Sequence, residues 1–285
     1  MDFFDLNIAF ELNDAFGEKA ICEKSMEEIA ALAYRMGWAG ICLCIKPATS
    51  GSDNFFSVVS EIKSKFEKDD FKIFLACCIS DSKSQKKSGF DAVKTGAKRA
   101  IDSDEVDFIY ASGGDEVVNR SFSELWEIDM LCHPETPEGD DIKFKIDFMR
   151  QRNSGIDRVI GDFMAERNIA AEFNINNLLH TNGALRSQIL GRMRQNVKIA
   201  RKSGVNIILT SGAKSLWDMR APRQVIALGR TMGMTEKEAK DAVVKNPALL
   251  MKKSQDRKND DIITEGVQVI RWGGHKKKKM RYGFL

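Results

Sequence analysis

SMEEIAALAYRMGWAGICLCI, residues 25–45, carries two periodicities in succession. From Ser25 to Met36 the residues Ile29, Leu32, Ala33 and Met36 recur at helical spacing, and Ser25 with Glu28 has the form of a capping box that would open such a helix. Gly37 stops it, and Trp38 to Ile45 follows as a short apolar run without strict polar alternation. A strand of that composition is buried on both faces, the condition of a parallel strand covered by helices.

The same unit recurs along the chain. Strands are expected at Phe3 to Phe10, Trp38 to Ile45, Phe71 to Ile79, Val106 to Ala111, Ile128 to Cys132, Ile169 to Asn176 and Val205 to Thr210. Amphipathic segments lie between them: Asn54 to Lys68, with Phe55, Val58, Val59, Ile62 and Phe66 on one face, then Lys86 to Ile101, Ser121 to Trp126, Ile156 to Arg167, Ala184 to Lys202, Pro222 to Met232 and Thr235 to Val244. Strand-helix units of roughly 30 residues predict an α/β fold, a TIM-like β/α barrel with predominantly parallel strands, with an open doubly wound sheet as the competing arrangement. A chain of 285 residues that is 43% hydrophobic can fill one such core. The division expected is a barrel over 1–250 and a polar, basic C-terminal extension over 251–285. Lys252 to Asp261 should leave the globular body, and Gly273 to Tyr282 should form a flexible basic tail.

Composition narrows the function. The net charge of +3 hides an asymmetry: residues 1–185 carry 21 Lys and Arg against 33 Asp and Glu, a net −12, and residues 186–285 carry 23 against 8, a net +15. Clustered positive charge favours a polyanion, because binding one releases its counterions. Nucleic acid fits better than a membrane surface, since no basic amphipathic helix with bulky apolar residues accompanies the charge. No apolar run approaches the ~18 residues of a membrane span. Asp2 and Asp5 stand where a secretion signal would carry positive charge, so a cytoplasmic location is expected. The six cysteines, Cys22, Cys42, Cys44, Cys77, Cys78 and Cys132, form no CxxC pair and are expected as buried reduced thiols. With three histidines a His-rich metal site is hard to build, and no GxGxxG or Walker loop follows any strand. Ser112-Gly113-Gly114-Asp115 has the composition of an ordinary tight turn.

In a β/α barrel, function concentrates at the C-terminal ends of the strands. Asp5 and Asn7 lie on the first strand, Lys46 follows the second and His133 the fifth. Glu172, Asn174 and Asn176 share one face of the sixth, and Ser211, Gly212 and Lys214 follow the seventh. This polar row has two readings, a satisfied plug inside the barrel or a functional mouth.

The segment IILTSGAKSLWDMRAPR, residues 207–223, is specific. With the Ser-Gly-Ala-Lys turn at Ser211 to Lys214 and the Arg-x-Pro-Arg step at Arg220 to Arg223, it resembles the signature of the ribonuclease P protein component 3 family of archaea and eukaryotes. Phe4-Asp5-Leu6-Asn7, Ala171-Glu172-Phe173-Asn174-Ile175 and the Arg-rich helix around Arg186 to Lys202 agree with it, in the same order over about residues 1 to 250. The acidic loop Glu135 to Asp141 and the tail after residue 252 depart from the family core. That family is in turn similar to the polymerase and histidinol phosphatase barrels, whose metal-binding patterns would fall here on Asp5, Asn7 and Ala9 and on Ser211 to Lys214. Asn7, Ala9 and Gly212 do not replace imidazole or carboxylate ligands, and Lys214 is a cation where a metal would sit.

The resemblance implies a non-catalytic subunit of ribonuclease P, the endoribonuclease that removes the 5′ leader from precursor tRNA. Its RNA would perform the chemistry with bound Mg2+. The implied partners are the ribonuclease P RNA, precursor tRNA and other protein subunits, including one small pairing partner. No catalytic residue, metal ligand or cofactor is assigned to this chain. Lys46, Arg186, Arg194, Lys198, Lys214, Arg220 and Arg223 are the candidates for phosphate contact, and Arg194, Lys198 and Arg201 share one helix face. Two rival readings stand beside this one: a metal-dependent phosphoesterase with rearranged ligands, and a lyase or aldolase using Lys214 in a buried mouth as a Schiff-base nucleophile.

Overall fold

The computed structural model of the chain describes residues 1–9, 19–45, 52–66, 70–80, 106–137, 147, 152–264 and 266–271, with backbone alone at 19–24, 52–58 and 264. Its centre is a seven-stranded, all-parallel sheet in sequential order: β1 (Phe4–Ala9), β2 (Gly40–Ile45), β3 (Lys72–Ile79), β4 (Phe108–Ser112), β5 (Met130–Cys132), β6 (Ala170–Asn174) and β7 (Ile207–Thr210). All seven expected strands are present, each beginning one or two residues later than expected.

The absence of strict alternation has a direct cause, because each strand points apolar side chains both ways. One set, including Leu6, Cys42, Ala76, Phe108, Tyr110, Met130 and Ile208, fills the barrel interior, while Ile41, Leu43, Leu75, Ile109, Leu131, Phe173 and Leu209 face the helical layer. Tyr110 spans the lumen, and its hydroxyl donates to the Leu6 carbonyl across the barrel at 2.7 Å. Cys42, Cys44, Cys77, Cys78 and Cys132 are buried free thiols, as expected. Gly40 opens β2 where a Cβ would fall 2.6 Å from the Lys72 carbonyl oxygen, so the close approach to β3 requires glycine.

The helices are α1 (Lys19–Met36), α2 (Ser52–Phe66), α3 (Glu116–Ser123), α4 (Arg158–Glu166), α5 (Asn176–Leu179), α6 (Gly183–Ser203), α7 (Pro222–Thr231), α8 (Glu236–Asp241) and α9 (Lys245–Lys258). Helix α1 begins six residues before Ser25, so the Ser25/Glu28 pair lies inside it and is not its cap. Helix α3 starts earlier than Ser121 because Asp115 caps it, accepting from the Val117 N–H at 3.0 Å. The expected helix Lys86 to Ile101, the side chain of Cys22 and the tail from Gly273 onward lie outside the described residues.

Seven strands close through a composite seam. At the C-terminal end Ile8 bridges Ala213 in parallel, and the Gly212 N–H donates to the Asn7 carbonyl at 3.1 Å. At the other end the chain after α8 fills the gap: Leu209 N–H donates to Ala242 and Phe4 N–H to Val243. The expected helix through Val244 therefore stops at Asp241, and the next two carbonyls serve as sheet acceptors.

Helix α9 then crosses the N-terminal face and places Leu250 in the interior core. The expectation that Lys252 to Asp261 leaves the body is corrected here. Lys253 donates to the carbonyls of Ile128, Arg167 and Asn168, Ser254 to that of Asp107, and Arg257 to both oxygens of Asp129. The division at 250/251 falls within this helix, which runs through residue 258. A hairpin of β8 (Ile262–Thr264) and β9 (Val267–Gln268) follows.

Burial works to raise the Asp129 carboxyl, but Arg257 and Lys253 beside it outweigh burial and hold it below its ordinary value. Breaking one partner of a buried ion pair strands the other. Arg257→Met should therefore cost about 3 kcal/mol, read as a lowered urea midpoint. Adding Asp129→Asn should recover part of the loss.

Candidate nucleic-acid interface at the barrel mouth

Glu172 and Asn174 of the polar row point into the barrel from β6, where Glu172 is completely buried, whereas Asn176 lies beyond the strand and opens α5. Its Oε1 accepts from Asn7 Nδ2 at 2.6 Å and from the Thr210 hydroxyl, tying β6 to β1 and β7. Asp5 Oδ1 accepts the Ser211 N–H at 3.1 Å, and Asn174 Oδ1 accepts the Asn176 N–H at 2.8 Å. Of the two readings, the plug describes Glu172 and Asn174: these groups stitch the seam beneath the mouth.

Burial dominates the electrostatics of this layer. It pushes Asp5 up to about 7 against the hydrogen bonds from Ser211 and Asn7, and raises Glu172 against the opposing effects of His133 and of donors Thr210 and Asn7. Glu135, in the loop after β5, is also fully buried and pushed up to about 7, chiefly by burial. No local pattern marks it, since Glu135 sits in a run that looks like a solvated acidic loop. His133 is 2% exposed at φ +36°, with Nδ1 3.1 Å from the Thr136 carbonyl oxygen and Nε2 3.4 Å from the Ser112 hydroxyl.

Asn7 and Gly212 serve the scaffold. Gly212 has φ +60°, and a Cβ there would fall 1.9 Å from Asn174 Oδ1, so no acidic side chain fits without displacing Asn174. Lys214 is exposed, so the desolvated mouth that a Schiff-base lysine needs is missing. Among the described residues no group of three or more His, Cys, Asp or Glu is placed to hold a metal ion.

Above this layer the segment 211–223 forms an ordered loop organised by Asp218. Asp218 Oδ1 is 2.8 Å from His180 Nε2, and Oδ2 accepts the Ser215 hydroxyl at 2.9 Å and the Lys214 N–H at 3.3 Å. These bonds outweigh the effect of burial and hold its carboxyl below the ordinary value. Trp38 Nε1 donates to the Arg220 carbonyl, and Arg220 Nη1 donates to the carbonyls of Trp217 and Met219, both at 2.7 Å. Arg186 folds onto the turn before α6, with Nε donating to the Thr181 carbonyl at 2.6 Å, and His180 joins that turn to the loop.

Arg186, Lys214, Arg220 and Arg223 thus lie on connected loops and helix starts at the strand C-termini. Arg194 and Lys198 do not join them: they lie roughly 12 Å or more along α6, where Arg194 donates to the Thr231 carbonyl at 2.9 Å. Arg201, on the same face, is clasped by Glu238 at 2.6 Å. Lys46 lies outside the described residues. Sequence reading passed over Asp218 and His180, whose pairing across 38 residues has no local pattern.

Two measurements check this layer. Unfolded Asp5 releases its proton near pH 4 and folded Asp5 near 7, so between those values the folded state holds more protons and the group's contribution to stability falls as pH rises. Asp5→Asn should reduce the decline in unfolding free energy from pH 5 to pH 8. Gly212→Ala should destabilise by at least about 2 kcal/mol through its positive φ and the clash with Asn174, seen by denaturant titration.

Comparison with known proteins fits this architecture. The family model described as RNase P subunit p30 matches residues 2–259. Over 268 residues, 94% of each chain, this protein is 30% identical to ribonuclease P protein component 3 of Methanococcoides burtonii. The protein of the same name from Methanosarcina barkeri is 29% identical over 253 residues, 89% of this chain and 92% of that one. A chain of the cryo-EM structure of archaeal ribonuclease P with mature tRNA shares the fold at a TM-score of 0.69 and 22% identity, covering 95% of this chain and 100% of that one. The match from residue 2 to residue 259, with a relative 30% identical along nearly the whole length, makes this chain a member of the RNase P subunit p30 family, that of the ribonuclease P component 3 proteins.

Proposed function

We propose that the chain is a protein subunit of ribonuclease P and contributes to removal of the 5′ leader from precursor tRNA by binding and supporting the catalytic RNA. The observation that carries this reading is family membership along nearly the whole chain, joined to an ordered loop that presents basic residues at the barrel mouth. In this reading the RNA performs the hydrolysis with its own Mg2+, the other ribonuclease P proteins, one small subunit among them, are partners, and the complex is cytoplasmic. Among the described residues no helix is long and apolar enough to cross a membrane.

The chain's own contribution is electrostatic and geometric. Lys214 and Arg223 are exposed, Arg220 is half-buried with its guanidinium held against loop carbonyls, and Arg186 is held on the adjoining turn. Cations fixed on a rigid scaffold neutralise phosphates with little loss of side-chain freedom, and each phosphate contact releases counterions. The acidic barrel layer beneath lies buried, so the outward field at this face is set by the basic residues. Arg194 and Lys198, further along α6, belong in this reading to a second contact region.

Replacing Lys214 and Arg223 together by alanine should weaken binding to the ribonuclease P RNA and reduce the slope of log affinity against log salt by roughly 1–2. Filter binding of the double variant across a salt series measures both quantities. An unchanged slope would remove these two residues from the RNA contact.

A further inference from the structure

Trp217 is 87% exposed, in a loop whose other residues are anchored. On one side Leu216 packs against the outer core. On the other Asp218 is held by His180 and Ser215, and Met219 is 2% exposed. The carbonyl of Trp217 itself accepts from Arg220 Nη1. The backbone beneath the indole is fixed while its ring stays in water, although burying it would be favourable. An indole held outward on an anchored segment offers a π-face for stacking.

The neighbours define that ligand. Lys214, Ser215 and Arg223 are exposed around the indole's place in the loop, and Arg220 braces it from below. The other exposed large apolar residues among those described lie outside this loop: Met1, Tyr34 on α1, Val117 on α3, Trp126 just after α3, Val159 on α4, Leu249 on α9 and Ile263, Val267 and Ile270 in or beside the hairpin. A protein-docking hot spot would sit in a wider desolvated patch. An exposed indole in the loop that carries Lys214, with Arg223 close behind it in sequence, matches a stacked base with phosphates on either side. A-form duplex does not satisfy it, because its bases are already stacked and its major groove is closed to side chains.

We infer that Trp217 is a stacking platform for an unpaired nucleobase of RNA, with Lys214 and Arg223 placed to take the flanking phosphates. This rests on the RNA-binding reading above and adds to it a preference for single-stranded over duplex segments.

The test uses the full-length chain with one mixed-sequence RNA of about 12 nucleotides, presented single-stranded and as the duplex with its complement. Trp217→Ala should weaken single-stranded binding roughly tenfold, leave duplex binding within about twofold and leave the salt slope unchanged, because stacking releases no counterions. Trp217→Phe should retain most of the affinity, and in the wild type single-stranded RNA should quench tryptophan fluorescence by an amount that Trp217→Phe removes. An unchanged thermal midpoint in both variants ties the losses to the ring.

Undiminished single-stranded binding by Trp217→Ala, or equal loss on both RNAs, overturns the inference. If the Lys214/Arg223 double variant flattens the salt slope in that same experiment, the RNA-binding reading stands and stacking alone fails. A wild-type chain with no salt-dependent affinity for either RNA sinks both. Should Trp217→Ala bind RNA normally but fail to assemble with the other ribonuclease P proteins, the indole is a protein contact and the stacking assignment is overturned.

Discussion

A seven-stranded parallel barrel must satisfy the backbone groups along the edges where its first and last strands meet. This chain does so with pieces that are not strands. Ser211 and Gly212 give their N–H groups to Asp5 and Asn7, and Ala242 and Val243 give their carbonyls to Leu209 and Phe4. The basic loop at 211–223 therefore begins as part of the closure, which explains how a segment so rich in polar residues is held rigid. Scaffold and interface share the same four residues, Ser211 to Lys214.

The same economy accounts for the polar layer below. Glu172 collects Asn7 and Thr210, and Asn174 occupies the space a side chain at 212 would need. Carboxyls with raised proton affinity, deep in a barrel and already bonded across three strands, act as cross-links between β1, β6 and β7. The layer's chemistry is turned inward, and the basic residues turned outward carry the protein's electrostatic character at this end.

The strand pattern was legible because burial on both faces leaves continuous apolar runs, and every strand from β1 to β7 was visible in that way. Helix starts were less so: Ser25 and Glu28 satisfy a capping pattern inside α1, where upstream residues also adopt helix. Helix α9 was misread for a physical reason. Lys253 and Arg257 look solvated when their partner Asp129 lies more than a hundred residues away, and local charge cannot reveal a pairing set by topology. The +15 of the C-terminal part looks like surface charge, yet Arg192 and Lys253 are buried and Arg257 is partly so, paired with Asp147 or Asp129. Charge counting pointed to the right class of partner while overstating the cations free to meet it. The mouth was legible as a row of residues, but Asp218, which organises its loop, and the buried Glu135 depend on loop conformation that periodicity does not encode.

Helix α9 closes the face at which every strand begins, and it is supplied by residues 245–258, after all seven strands have been made. During synthesis the sheet can assemble strand by strand in chain order, since each new strand pairs with the one before it. Its floor stays open until the far end of the domain emerges. Phe4 and Phe108, neighbours of Leu250 in the finished core, would face solvent for most of translation. The contacts that complete the domain are thus among the longest in sequence, which makes the last step slow relative to strand pairing and leaves the nascent barrel exposed at one end.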